Sequence, residues 1–156
     1  MESQQFMLTR CSVIAATLAG VLVPRAVLGQ VAAKVEGEAN MKLQCAFAGQ
    51  RFTATLYDNP SARDFASMLP LGLDIDDYAT NDKIAYLPRK LTEDGSGPFS
   101  NEQPGDVCYY APWGDLAFFY AGYRYSKGLI RLGRLDDSVK PLLKRGKFTL
   151  RIELVS

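Results

Sequence analysis

A mainly β chain, a closed barrel or a sandwich with one or two short helices, is predicted by three features of the sequence. Short runs with period-two alternation recur along it, Gly- and Pro-containing turns separate them at regular intervals, and only one stretch has clear helical spacing. At 156 residues there is room for one domain, and an apolar fraction of 47% is enough for a packed core.

The N-terminus reads as a separate object. Arg10 precedes the apolar run Cys11–Val23, Pro24 breaks it, and small residues follow. That is the order of a secretory signal. The run is too short for a spanning helix, which needs about 20 residues. Residues 1–29 are therefore expected to be a signal peptide, cleaved after Gly29 or alternatively after Ala33. The mature chain is expected in the periplasm or outside the cell. Residues 30–40 lack periodicity and read as a flexible leader. The barrel domain is expected over 41–156.

Loss of residues 1–29 removes Arg10, Arg25 and Glu2 from 18 basic and 17 acidic residues, which leaves a formally neutral chain. Its charges are interspersed. Phosphate backbones are bound by clustered Lys and Arg, so nucleic acid is not an expected partner. No basic amphipathic helix is visible, so no stable membrane attachment is expected after cleavage. The sequence does not indicate an oligomeric state.

The elements follow in order. "MKLQCAF" turns Leu43, Cys45 and Phe47 to one side, and "RFTATLY" does the same with Phe52, Ala54 and Leu56. A Gly-containing turn between them makes a hairpin. "DNPSARDFASMLP" then changes period. Asp58 or Asn59 can cap a helix, Pro60 suits its first position, and Ala62, Phe65, Ala66 and Leu69 share a face until Pro70 stops it. Strands follow at "LGLDIDDY" (Leu71, Leu73 and Ile75 on one side) and at "KIAYL". Residues 92–106 form a long Gly/Pro/Ser-rich loop, of a length usually associated with function or motion. "VCYYAP" and "LAFFYA" pair about Pro112–Asp115. "GLIRLGRL" is another strand, and "SVKPLLKR" holds one irregular helical turn. "KFTLRIELV" closes the chain with Phe148, Leu150, Ile152 and Leu154 alternating. Leu43, Phe52, Leu56, Phe65, Leu73, Phe118, Leu150 and Ile152 are the expected core.

The chain contains no histidine. Ser-His-Asp, Cys-His and His-based zinc sites are thereby excluded, and no C-x-x-C supports redox exchange. No catalytic residue, metal or cofactor is expected. "GLIRLG" lacks the middle glycine of a dinucleotide fingerprint. Asp74, Asp76 and Asp77 are either a calcium site or a solvated strand face. The second reading is preferred, because their spacing completes no loop motif. Cys45 and Cys108 either form a disulfide or remain separate buried thiols.

One constellation has the character of a binding site. Tyr110, Trp113 and Tyr120, with Arg124 just beyond, crowd around a Pro-Trp-Gly turn. They can line a groove for a small molecule or a proline-containing peptide, or they can be barrel wall. Phe118 and Tyr120 fall on one face and Phe119 on the other, so both faces of that strand carry aromatic surface. Trp113, on the turn, is the residue most expected to be partly exposed.

The ordered strings "TLYDNPSARDFASMLPLGLDIDDY", "DKIAYLPRKL", "PGDVCYYAPWGDLAFFY" and "GLIRLGRL" resemble the bacterial cyclophilin-like domain family from Met41 to about Asp137. The sequence departs from that pattern at Asp82, where a glutamate is expected before Lys83. The resemblance implies a closed cyclophilin-like β-barrel with a short helix at one end. It implies no activity. Cyclophilins that isomerise X-Pro bonds use an arginine beside an apolar pocket and a histidine, and no such motif is present. A ligand- or peptide-binding module is the favoured reading. The alternatives are a peptidyl-prolyl isomerase serving exported proteins and an accessory protein docking through a strand edge. Arg63, Arg89 and Arg124 are the arginines an isomerase could use.

Overall fold

Eight antiparallel strands close on themselves in the order β1-β2-β7-β5-β6-β4-β3-β8. They are β1 Met41–Phe47, β2 Gln50–Leu56, β3 Leu71–Tyr78, β4 Asp82–Tyr86, β5 Asp106–Tyr110, β6 Asp115–Phe119, β7 Leu129–Leu135 and β8 Phe148–Val155. This computed structural model describes residues 41–155. The signal and leader expected over 1–40 lie outside the described residues. Among the described residues no helix is long and apolar enough to cross a membrane.

Alternation builds the barrel. Leu43, Cys45 and Phe47 of β1 and Phe52, Ala54 and Leu56 of β2 enter one core, joined by Leu150 and Ile152 of β8. Closure leaves no free edge for unpaired strand groups, which is how small β folds avoid edge-to-edge association. Helix α1, Pro60–Ala66, adds Ala62, Phe65 and Ala66 to the same core. Asn59 caps it, its side chain accepting from the Ala62 N–H at 2.8 Å, with Pro60 at the first position. The irregular turn is a short 3-10 helix, Lys140–Leu143, with Leu142 buried.

β2 and β7 meet across Gly133. A Cβ there would stand 2.2 Å from the Thr55 carbonyl oxygen. Only a residue without a side chain allows this approach.

Seven of the eight expected core residues are buried, and Leu73 is half-buried instead. β4 pairs with β3 only from Ile75 onward, so Leu73 lacks a neighbour on that side. Leu154 is 45% exposed for a similar reason, since β3 covers β8 only as far as Ile152. Cys45 and Cys108 are both free thiols. Cys45 lies in the inner core and Cys108 in a second cluster on the outer face of the wall. Burial pushes both thiols up to about 12, so they are inert near neutrality.

Lys83 also points inward and is fully buried. Its ammonium lies 2.7 Å from Asp77 and near the rings of Phe47 and Phe148. The Gly146 N–H donates to the other Asp77 oxygen at 2.6 Å. Asp77 is therefore a structural anchor at the barrel's inner end, while Asp74 and Asp76 remain exposed on the outer face. Among the described residues no group of three or more potential ligands could hold a metal ion.

Candidate functional site

The outer face of β3, β4, β6 and β5 bears the candidate site. Register fixes which residues share it. Asp82 pairs with Tyr78 on one side and Phe119 on the other, Ile84 with Ala117, and Asp115 with Tyr110. Alternation sends Ala85, Leu116 and Phe118 into the core and leaves Asp82, Ile84, Asp115, Ala117 and Phe119 on the outside. These residues line a groove of about 290 Å³, together with Tyr78, Tyr110, Trp113, Tyr123 and Arg124.

The turn after β5 positions the tryptophan. The Trp113 and Gly114 N–H groups both donate to the Tyr110 carbonyl, at 3.2 and 2.8 Å, and Gly114 adopts φ +74°. The reversal leaves the indole standing off the wall, 46% exposed. Its ring lies edge-on to Tyr78 at 5.3 Å and to Tyr110 at 5.6 Å. The indole thus links an outward residue of β3 to one of β5, with β4 and β6 between them.

The far wall is the segment after β6. Tyr123 stacks on Phe119 with centroids 3.7 Å apart and planes 7° from parallel. Its hydroxyl donates to Asp106 at 2.6 Å. Asp106 is completely buried and also accepts from Arg134 Nε at 2.7 Å, the Gln103 N–H at 3.0 Å and Arg131 at 3.4 Å. A carboxylate with this many donors holds the segment in place. Tyr123, buried beside that carboxylate, has its phenol pushed well above the usual range.

Two further carboxyls are unlike Asp106. Asp82 and Asp115 are 5% and 1% exposed, and the Oδ1 atom of each has no hydrogen-bond partner. Burial, and secondarily the charge of Asp115, pushes Asp82 up to about 7. Burial pushes Asp115 up to about 6. Buried polar atoms without partners are rare in folded proteins, and titratable groups shifted this way gather at functional sites.

The expected site residues divide. Tyr110, Trp113 and Arg124 all line the groove. Tyr120 does not. It follows the alternation of Phe118 toward the inner core, and its hydroxyl accepts from Arg145 at 2.8 Å. Of the three arginines, Arg63 pairs with Asp58 and Arg89 with Asp64, so only Arg124 reaches the groove. Asp82, Asp115, Tyr78 and Tyr123 were not expected. Their signal is a polar residue at an outward position beside Ile84, Ala117 and Phe119. A second hollow, about 490 Å³, lies over Gly72, Asp74 and Thr149. Its charged pair, Lys147 and Asp74 at 3.3 Å, is already matched.

A closed eight-stranded barrel with one short α-helix defines the class of fold. A sequence model of the cyclophilin-like family matches residues 45–153, and the chain belongs to that family. The solution structure of a hypothetical protein from Archaeoglobus fulgidus is similar, with TM-score 0.55 and 16% identity over 74% of this chain and 95% of the other. At that identity the likeness shows the fold alone. A search of curated proteins found no match.

Proposed function

We propose that this chain is an exported binding module whose outer groove takes a small molecule or a short peptide. The observation that carries the reading is the half-exposed Trp113 linking Tyr78 and Tyr110 beside two buried carboxyls, each with one oxygen that lacks a partner. Aromatic and aliphatic walls that carry a few convergent polar groups are the usual make-up of a ligand site. Export is supported by the charge, apolar run and small residues at the N-terminus. Trp113 is the only tryptophan in the sequence, so its emission reports on the groove directly. Binding should shift that emission saturably, and Trp113→Ala should weaken binding measured by calorimetry. Unaltered affinity in Trp113→Ala would remove the groove from consideration.

A prolyl isomerase remains the second reading, favoured by one observation: Arg124 lines a groove that also holds aromatic and aliphatic side chains, the company an isomerase's arginine keeps. The histidine-free sequence and the exposure of Arg124 argue against it.

A further inference from the structure

The two carboxyls with an unpartnered Oδ1 occupy opposite ends of one ladder. Asp82 lies opposite Phe119, and Asp115 lies opposite Tyr86 at the other end of β6. Strand rise alone separates their Cα atoms by roughly 13 Å along the strands. Between them, on the same face, lie only Ile84 and its partner Ala117. The sequence of surfaces is therefore carboxyl, apolar strip, carboxyl. Tyr78 flanks the first carboxyl and Tyr110 the second, with Trp113 touching both rings.

We infer that this strip binds a linear aliphatic diamine or polyamine, one ammonium at Asp82, the other at Asp115, and the methylene chain on Ile84 and Ala117. The inference rests on the reading of the groove as a binding site and names its ligand class. Each Oδ1 is buried without a hydrogen-bond donor, and an ammonium entering the groove supplies one together with the opposite charge. The two carboxyls feel one another's charge but stand at opposite ends of β6 with Ile84 and Ala117 between them, so each end takes its own ammonium. The aromatic rings beside each end attract cations through their faces. Asp74 and Asp76 add negative charge to the same outer face, Lys147 offsets Asp74, and Arg124 is the opposing cation in the groove. The ends of this strip are also poorly suited to a metal ion, which takes several oxygens at one point.

The test titrates the full chain at about pH 8 and low salt with putrescine, spermidine, butylamine and a neutral, end-blocked proline tetrapeptide, reading Trp113 emission. Putrescine and spermidine should bind at least about tenfold more tightly than butylamine. Asp82→Asn and Asp115→Asn should each weaken putrescine at least about tenfold while retaining the wild-type circular dichroism spectrum. Should a variant misfold, the wild-type ranking of putrescine over butylamine decides alone. Equal affinity for the two amines, or undiminished putrescine binding in both folded variants, overturns the diamine assignment. Binding of the proline peptide but not of the amines overturns it too while leaving the groove a binding site. No response to any of the four probes removes both readings.

Discussion

Trp113 meets Tyr78 edge-on, with centroids 5.3 Å apart and planes at 89°, although Tyr78 ends β3 and Trp113 lies in the turn between β5 and β6. The contact crosses two intervening strands of the wall. It ties the exposed turn to the groove that holds Asp82 and Asp115, and the predictions about function follow from that tie.

The first prediction concerns pH. A carboxyl whose folded pKa is raised contributes stability that is complete below its unfolded value and is lost as pH rises through the folded one. Asp82 moves from 3.8 to about 7, and Asp115 from 3.8 to about 6. Asp64, Asp77 and Asp136 are shifted the other way, so their contributions are already complete above the usual carboxylate range. The titratable and charged groups facing the two acids are Tyr78, Tyr86, Tyr110, Tyr123 and Arg124. Urea unfolding of the wild type should therefore show stability falling by about 4 kcal/mol between about pH 5 and pH 8. Asp82→Asn should remove most of that slope and be the more stable chain at the higher pH. An identical slope in wild type and variant contradicts the prediction.

The barrel core gives the second. Phe52 is buried with its ring 6.2 Å from Phe47 and 6.0 Å from Phe118. Phe52→Ala should lower stability by about 3–5 kcal/mol. A loss below about 1 kcal/mol in chemical denaturation would place Phe52 outside the core.

Gly133 gives the third. Gly133→Ala drives a methyl group into the Thr55 carbonyl and the Leu56 Cα, which are backbone atoms that cannot rotate away. The β2–β7 pairing should open, with a loss of more than about 2 kcal/mol. Wild-type stability by thermal denaturation would contradict the close approach.

The isomerase alternative supplies the fourth. The chain should not accelerate cis/trans exchange in a proline peptide assay. Acceleration that vanishes in Arg124→Ala would replace the binding-module reading with the isomerase one.

Export supplies the fifth. Mass spectrometry of envelope protein from a bacterial host should find a mature N-terminus near Gln30 or Lys34. An intact Met1 there would contradict it.

Much of the fold was legible because its signals are local. The alternation in "KFTLRIELV" places Leu150 and Ile152 inside without knowledge of any partner strand. Asn59 and Pro60 announce the helix in the same way. The exposure of Trp113 followed from its place in a turn. Leu73 and Leu154 were less legible, because their exposure depends on where a neighbouring strand stops. Tyr120 was grouped with Trp113 by proximity in sequence, yet period two sends it inward. The carboxyls were hidden for the opposite reason. Asp82 and Asp115 are 33 positions apart in the numbering, and each reads singly as a polar strand terminus. Only the β4–β6 ladder puts both on one strip, and only the aromatic cover takes their oxygens out of water.

Carbon-13 NMR titration of the Asp82 and Asp115 carboxyls, with and without putrescine, tests the central claim most directly. The account predicts that Asp82 titrates near 7 in the free chain and that both carboxyls fall toward the ordinary aspartate range when the diamine binds. Ordinary values in the free chain, or raised values that putrescine leaves unmoved, would contradict it.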